Sequence, residues 1–169
     1  DIDADGSNIF VTGKFEYGID FDTIQLTTAA TPTGCHPNSS DIFVAKLDYA
    51  GNYIYAKKAG DECDDLARTI AVDSNGDLYV GGYYSAGPVT FGQSVVGPNP
   101  GNMYEGIISK MDSNGNWLWA IELKGSHVEI VRDLKVLQSG DIIVTTHFLQ
   151  DITLNDLSGN SFGSSPYSA

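Results

Sequence analysis

The chain has 169 residues, of which 41% are hydrophobic and 11% aromatic, so it can bury a substantial core and is not a disordered segment. Its formal charge of −13, from 22 acidic and 9 basic residues, makes nucleic acid and anionic membrane surfaces unfavourable partners. No stretch approaches the roughly 18 consecutive apolar residues of a membrane-spanning helix, so we expect no membrane insertion. There is neither an initiator Met nor a signal peptide, which indicates a mature or truncated piece.

The first part of the chain predicts two β-hairpins separated by an insert. The first hairpin runs from Ile2 to Phe15 and turns at an Asp- and Gly-rich stretch. Ile19 and Phe21 mark alternating apolar positions in the insert. The second hairpin, from Asp41 to Lys58, turns at D-Y-A-G-N between β-branched and aromatic residues. The pattern is typical of four or five short antiparallel strands.

The same order of elements then returns. Ile70 to Tyr84 repeats the first hairpin, Val89 and Phe91 mark the insert, and Gly106 to Lys124 repeats the second hairpin. The match extends to single residue types at fixed offsets, including the lysine and the aspartate before each second turn. This is an internal repeat, and an internal repeat predicts one supersecondary unit per copy.

A third copy is partial. Leu134 to Phe148 repeats the first hairpin and Ile152 and Leu154 mark the insert, after which no second hairpin follows. The chain therefore divides into units at residues 1–69, 70–133 and 134–169, with a period of 64 to 69 residues.

Four antiparallel strands at this period, rich in Gly and with aromatics at fixed offsets, are typical of a β-propeller blade. We therefore expect an all-β fold with two full blades and part of a third, and a two-sheet β-sandwich is the alternative. Because propellers have about 4 to 8 blades, these units are expected to form one domain of a longer chain, or to complete a ring with other chains.

Three phrases carry a resemblance to a known family: Ile70 to Gly82, Asp41 to Asn52 and Asn116 to Ala120. They resemble the bacterial SBBP-type β-propeller repeat, and the resemblance covers nearly the whole chain. It implies closed propellers within long secreted or surface proteins, adhesins among them, with no shared catalytic residues. The chain departs from the family in having too few blades to close, and in its third copy, where Leu137 to Ser139 replaces Asp73 to Asn75.

The first turn also matches the start of a calcium loop. Asp1, Asp3 and Asp5 precede Gly6, and alternate carboxylates of this kind suit a hard cation. However, Thr12 stands where such a loop has its closing glutamate, the second copy keeps only Asp73 and Asn75 of the alternate set, and the third copy keeps none of the carboxylates. We therefore expect these aspartates to bond their own turn backbone. A single Ca²⁺ ion is the alternative, and no other cofactor is expected.

The two cysteines, Cys35 and Cys63, flank the hairpin from Asp41 to Lys58. Because a hairpin brings its two flanking segments together, we expect a disulfide between them. The bridge would close a loop of 28 residues, would stabilise the fold by about 3 kcal/mol in the chain-entropy model, and would indicate an extracytoplasmic location. A zinc site made by both thiols and His36 is the alternative.

Two further features have both a structural and a functional interpretation. Trp117 and Trp119 lie two apart on a predicted strand and are expected on one face, where they suit sugar stacking or packing between blades. Tyr53 and Tyr55 occupy the same offsets in the first unit, which favours packing. The acidic run from Asp61 to Asp65 is read as a solvated loop, with a cation-binding rim as the alternative.

These patterns contain no recognisable catalytic motif, so we predict that the chain is not an enzyme. Gly- and Pro-rich inserts at Thr27 to Ser40 and Val95 to Tyr104 are the places where a rigid scaffold would carry binding loops. We predict a non-catalytic module of an extracellular or cell-surface protein, which serves as a scaffold or binds a protein, a glycan or neighbouring domains of the same chain. The alternatives are a propeller-fold enzyme acting on polysaccharide and an assembly component that completes a ring with other chains.

Overall fold

The structure is a computed structural model that describes residues 1–28, 39–61, 63–99, 103–150, 152–155 and 161–164. Throughout these ranges the regular structure is β-strand, and every paired strand is antiparallel to its neighbour. None of the described segments forms a helix that could cross a membrane. The expected all-β class is confirmed.

The first part of the chain contributes six strands: β1 (Ile2–Ala4), β2 (Asn8–Glu16), β3 (Gly18–Phe21), β4 (Ile24–Thr27), β5 (Ser40–Asp48) and β6 (Tyr53–Ala59). Four of them form the first sheet, in the order β1-β2-β5-β6. β3 and β4 form a separate hairpin in the connection between β2 and β5. This is the hairpin, insert and hairpin order expected from the sequence.

The next part repeats this arrangement with β7 (Leu66–Val72), β8 (Leu78–Ser85), β9 (Val89–Phe91), β10 (Ser94–Val96), β11 (Tyr104–Met111) and β12 (Trp117–Gly125). β7, β8, β11 and β12 pair in that order in the second sheet, and β9 and β10 form the inserted hairpin. The unit boundaries drawn at 69/70 and 133/134 fall within strands, the first within β7.

The last part contains β13 (Glu129–Val136), β14 (Ile142–Phe148), β15 (Ile152–Asn155) and β16 (Ser161–Ser164). β13 and β14 form the third sheet on their own. β15 and β16 differ from the two earlier inserts, because β15 pairs with β12 and extends the second sheet to six strands. β12 is the strand whose edge accepts β15, as an unpaired strand edge can template a further strand.

Aspartate closes the short turns of the first two sheets. Asp48 Oδ1 accepts the N–H groups of Ala50 and Asn52 at 2.9 Å each, and Asp112 repeats these contacts in the second sheet. Gly51, at φ 89°, supplies the left-handed residue that the turn needs. The D-x-x-G pattern in the sequence therefore specifies these hairpins directly.

Antiparallel order places the short turns at one end of each sheet and the β3–β4 and β9–β10 hairpins at the other. We call these the turn end and the insert end. The turn ends of neighbouring sheets lie side by side, because residues of the β1–β2 and β7–β8 turns line one common cleft. Every sheet therefore points the same way along the stack.

The second sheet lies between the other two and is covered on both faces. One face packs on the first sheet in a core that includes Phe10, Val44 and Leu78. The opposite face packs on the third sheet through clusters that include Tyr79 and Leu134. The fold is thus a stack of sheets in chain order, each unit resting on the one before it.

Candidate functional site

The three aspartates of the possible calcium loop turn out to serve the backbone in two different ways. Asp5 closes its own turn, where its Oδ1 accepts the N–H groups of Ser7 at 2.8 Å and Asn8 at 2.7 Å. Asn8 Nδ2 adds a side-chain hydrogen bond to Asp5 Oδ2 at 3.1 Å. The pKa of Asp5 is lowered: burial opposes ionisation, but these hydrogen bonds outweigh it.

Asp1 and Asp3 reach across to the second sheet. Asp1 Oδ2 accepts the N–H of Ile70 at 3.0 Å, and Asp3 Oδ2 accepts that of Val72 at 2.9 Å. β7 is the edge strand of its sheet, so these donors point away from β8 and need a partner from outside the sheet. The D-x-D pattern therefore joins neighbouring sheets. No grouping of three His, Cys, Asp or Glu side chains suitable for a metal occurs in the described part of the chain.

Calcium is therefore expected to leave the stability of the protein unchanged. Raising Ca²⁺ to about 1 mM, the affinity range of weak extracellular sites, should not shift the midpoint of thermal unfolding. Asp3→Ala should instead lower the free energy of unfolding by about 1 kcal/mol in the presence and the absence of Ca²⁺, because Val72 loses its acceptor. A saturable, calcium-dependent rise in the midpoint of thermal unfolding that Asp5→Asn abolishes would contradict this expectation and support a calcium site.

The repeated lysines also lie at the turn end. Lys110 Nζ pairs with Asp77 at 3.0 Å and lies 4.9 Å from the centroid of the Tyr79 ring. The Tyr79 hydroxyl and Asp77 raise the pKa of Lys110. Lys46, its counterpart in the first sheet, donates instead to Ser113 O of the second sheet at 3.2 Å. Lys110 thus contacts residues of its own sheet, and Lys46 links the first sheet to the second.

A cleft with a volume of 540 Å³ opens at the turn end between the first and second sheets. Its lining is mainly polar and includes Asp5, Lys46, Asp73, Asn75 and Ser113. Hydroxyl, amide and carboxylate groups of this kind suit a small polar ligand or the polar side chains of a partner protein. The cleft is a concave surface open to such a group.

A second cluster of polar groups lies near the insert end and is buried. Glu105 on β11 and Glu129 on β13 are both buried, and Glu122 on β12 lies close by. The Tyr84 hydroxyl donates to Glu122 Oε2 at 2.7 Å, and Lys124 Nζ pairs with Glu122 Oε1 at 2.7 Å. The cluster therefore spans the second and third sheets.

Glu105 is the member of this cluster that titrates near neutrality. Its pKa is raised to about 7, first by burial and then by the charge of Glu129 and a side-chain hydrogen bond to Glu129, while a hydrogen bond from the Gly125 backbone opposes the shift. The two carboxyl groups are thus coupled, and Glu105 holds its proton below neutral pH. Because both are buried, they have little access to a substrate.

The acidic run behaves differently from the solvated loop that we expected. Asp65 is buried, and its Oδ2 accepts the Asp61 N–H at 3.1 Å. Desolvation, with Asp41 nearby, raises the pKa of Asp65 well above its usual range. Asp41 itself forms an ion pair with Lys58 at 2.8 Å. The solvated-loop interpretation is wrong for Asp65, because Asp65 N bonds Ser40 O and carries its side chain into the interior.

The two tryptophans do not share a face. Met111 pairs with Trp117 and Lys110 with Trp119, so a β-bulge leaves Leu118 between them without a partner. Trp117 packs edge-on against Phe91, on the side of the first sheet, and Trp119 packs on Tyr79, on the side of the third sheet. The same-face prediction is wrong because an extra residue reverses the strand alternation, and no sugar-stacking pair is formed.

The structure describes only one of the two cysteines that were predicted to form a disulfide. Cys63 is buried, while Cys35 and His36 lie outside the described residues. No free thiol is found in the described part of the chain, and the pairing with Cys35 stays a prediction.

The disulfide is expected to show in the intact mass. Reduction should raise the mass by two hydrogen atoms and lower the midpoint of thermal unfolding, since a bridge closing 28 residues is worth about 3 kcal/mol. Cys63→Ser should give the lower midpoint without reductant. An unchanged mass after reduction would contradict the bridge and favour thiols free to bind a metal.

Neither the buried glutamates nor the contacts between sheets were predicted from the sequence. Glu105 and Glu129 each lie near the start of a strand that continues with buried apolar residues such as Ile107 and Ile130, and that placement was the available signal. The roles of Asp1 and Asp3 had no such signal, because their partners lie in another unit.

Comparisons with known proteins agree with a repeat architecture. No family model matches the chain. The chain is similar to an uncharacterized WD repeat-containing protein of Acanthamoeba polyphaga mimivirus, with 27% identity over 156 residues, which is 88% of this chain and 11% of that protein. The chain thus spans about a ninth of the length of this relative. The resemblance to the SBBP-type repeat stays a prediction.

Proposed function

We propose that the chain is a non-catalytic scaffold module made of β-propeller blades. The observation that carries this proposal is the stacking of sheets in chain order, through contacts that recur from one pair of sheets to the next. In the first pair Asp1 accepts the N–H of Ile70, and in the second Thr69 Oγ1 accepts that of Leu134 at 3.2 Å. Asp1 and Thr69 occupy the same position in their hairpins.

Two findings favour a propeller over a two-sheet sandwich. A sandwich leaves the outer faces of both sheets in solvent, whereas here the second sheet is covered on both faces. The similarity to a WD repeat-containing protein points the same way, because WD repeats are propeller blades. Further units would then continue the stack and close it into a ring.

The proposed role is to hold binding surfaces in place. The polar cleft at the turn end would take polar groups of a protein or glycan partner. The inserts Thr27 to Ser40 and Val95 to Tyr104 stay predicted binding loops, since residues 29–38 and 100–102 lie outside the described residues. We place the module outside the cell or at its surface, on the predicted disulfide and the resemblance to the SBBP-type repeat. A polysaccharide-active enzyme is less favoured, since the coupled Glu105 and Glu129 are buried.

Electron microscopy of the native polypeptide tests this proposal. A ring of blades around a central channel, with the present units occupying neighbouring positions, is the expected result. An open particle of two layers would favour the sandwich and contradict the proposal. Release of reducing sugar from a polysaccharide, lost in Glu105→Gln but not in the exposed control Glu16→Gln, would support the enzyme instead.

A further inference from the structure

The only two arginines of the chain occupy the same place in neighbouring sheets. Arg68 lies on β7 and Arg132 on β13, 64 positions apart. Each is the extra residue of a β-bulge, because the pairing of β7 with β8 skips Arg68 and the pairing of β13 with β14 skips Arg132. A bulge re-aims one side chain out of the regular alternation of a strand, and bulges are common beside binding sites. Both arginines are exposed.

The residues that follow the two arginines hold them near each other. Thr69 Oγ1 donates to Asp133 Oδ1 at 3.1 Å, across the contact between β7 and β13. Arg68 and Arg132 therefore project from adjacent edge strands of the second and third sheets. Two positive charges on adjacent strands repel each other, which lowers stability unless an anion neutralises them.

Two tyrosines of the second sheet border the arginines. Tyr83 on β8 and Tyr104 on β11 have ring centroids 4.5 Å apart, and the Arg68 guanidinium lies over the Tyr83 ring at 5.7 Å from its centroid. Burial raises the pKa of Tyr83 and Tyr104 raises it further, whereas the charges of Arg68 and Arg132 oppose the shift. Both guanidinium groups therefore act on the Tyr83 hydroxyl. Tyr104 is 38% exposed, so part of its ring is open to solvent.

The charge of the two arginines is not used in an ion pair within the described ranges of the chain. Two nearby carboxylates are bonded to other donors. Asp133 Oδ1, which accepts the Thr69 hydroxyl, also accepts the N–H of Leu134 at 2.9 Å. Asp64, whose charge also acts on Tyr83, accepts the Ser40 hydroxyl at 3.1 Å. The guanidinium groups therefore keep donors for a ligand.

We call Arg68, Arg132, Tyr83 and Tyr104 the arginine–tyrosine site. It lies between the second and third sheets, so residues of this chain supply both of its walls. The site is separate from the polar cleft at the turn end, because none of its four residues lines that cleft.

The groups of the arginine–tyrosine site favour a carboxylate carried on a ring. A guanidinium presents its N–H donors as a planar fork that matches the two oxygens of a carboxylate. A partly exposed tyrosine ring offers an apolar surface for the C–H face of a sugar, and its hydroxyl bonds polar groups at the rim. The net charge of −13 opposes a densely charged polyanion. A sugar with a single carboxylate meets all of these conditions.

We propose that the arginine–tyrosine site binds a hexuronic acid, a sugar with one carboxylate, at the end of a glycan. The carboxylate accepts hydrogen bonds from Arg68 and Arg132, and the sugar ring packs on Tyr104. This inference goes beyond the scaffold role, because it assigns a class of ligand to a surface other than the turn-end cleft.

Four variants separate the parts of the site. Arg68→Gln and Arg132→Gln each remove one guanidinium, Tyr104→Leu removes the ring, and Arg68→Lys keeps the charge without the fork. Lys57→Gln is the matched control, because Lys57 is exposed on β6 of the first sheet and its loss changes the net charge by the same amount. Thermal unfolding of each variant verifies the fold.

The measurement is a titration with glucuronic acid followed by residue-resolved nuclear magnetic resonance. We expect saturable shifts at the four residues of the site, with a dissociation constant on the order of 1 mM, as for a ligand of this size. Glucose lacks the carboxylate and acetate lacks the ring, so both should bind at least about tenfold more weakly. Arg68→Gln, Arg132→Gln and Tyr104→Leu should show the same loss, Arg68→Lys should show part of it, and Lys57→Gln should show none.

Four outcomes would overturn the inference. They are no saturable shift up to about 10 mM glucuronic acid, acetate binding as tightly as glucuronic acid, binding that survives both arginine-to-glutamine changes, and tighter binding of a tetraglutamate peptide. The last result would assign the site to an acidic segment of a protein partner. Each of them leaves the proposed blade architecture intact, since electron microscopy tests that architecture independently.

Discussion

Phe10→Ala should lower the free energy of unfolding by about 3 to 5 kcal/mol. The Phe10 ring is fully buried between the first and second sheets, in the same core as Val44 and Leu78. Truncation removes the transfer free energy of the ring and leaves a cavity at the centre of the contact between sheets. Chemical denaturation followed by far-ultraviolet circular dichroism gives the value.

The matched control for this change is Ile143→Ala. Ile143 occupies the same position in the third sheet but is exposed, so its truncation should change the free energy of unfolding by no more than about 0.5 kcal/mol. The contrast between the two variants isolates the effect of the neighbouring sheet. Similar losses for both would contradict the stacked arrangement.

The protein should become less stable as the pH rises from about 5 to 8. Burial raises the pKa of Glu105 from 4.5 to about 7, so the folded state holds a proton that the unfolded state releases. Its contribution to stability is therefore complete below pH 4.5 and is lost as the pH rises through 7. Asp65, whose pKa burial also raises, acts in the same direction.

The charged groups around Glu105 define the test of this pH dependence. Glu129 and Glu122 face it from β13 and β12, and Lys124 neutralises part of the charge on Glu122. Glu105→Gln keeps the hydrogen-bonding shape without the charge, so it should raise the unfolding midpoint at pH 8 and flatten its dependence on pH.

Glu16→Gln, at an exposed surface pair, is the control and should leave the pH profile unchanged. If the unfolding midpoint of Glu105→Gln depended on pH in the same way as that of the unaltered protein, a group other than Glu105 would cause the loss of stability at high pH. The exposed turn carboxylates of Asp48 and Asp112 cannot produce the same trend, because their pKa values are lowered by the hydrogen bonds of the turns. Their contribution is lost only as the pH falls below about 4.

Local chemistry made much of the fold predictable from the sequence. Asp48 and Gly51 specify a turn through contacts within five residues, and the alternating apolar residues on either side specify the strands. Because the copies repeat these signals, the order of hairpin, insert and hairpin could be predicted for both complete units.

Tertiary contacts account for what could not be predicted. The bulge at Leu118 separates Trp117 from Trp119, and nothing within the strand marks the extra residue. Likewise, Asp1 is recognisable as a cap only when Ile70 of the next unit lies beside it. Pairing of β15 with β12 is also non-local, since it depends on which strand edge is free rather than on the pattern of residues 152–155.

The candidate site also combines residues that the sequence predicts with contacts that only the tertiary structure reveals. The turn aspartates at the cleft could be named from the sequence, but the cleft forms only where two turns from different units meet. Glu105 and Glu129 lie 24 positions apart in the chain and become coupled because β11 and β13 pack against each other. Both features therefore depend on contacts between sheets, which the order of residues along the chain does not specify.

Amide hydrogen exchange resolved by residue tests the stacking most directly. The N–H groups of Ile70, Val72 and Leu134 point outward from the edge strands β7 and β13, where they would exchange rapidly in an isolated sheet. The stacked arrangement predicts slow exchange for all three, because Asp1 and Asp3 of the preceding sheet accept the first two hydrogen bonds, and Thr69 of the preceding sheet shares the third with Asp133. Asp3→Ala should accelerate Val72 and leave Leu134 slow. Rapid exchange of all three amides in the folded, unaltered protein would show that the sheets do not stack in this way.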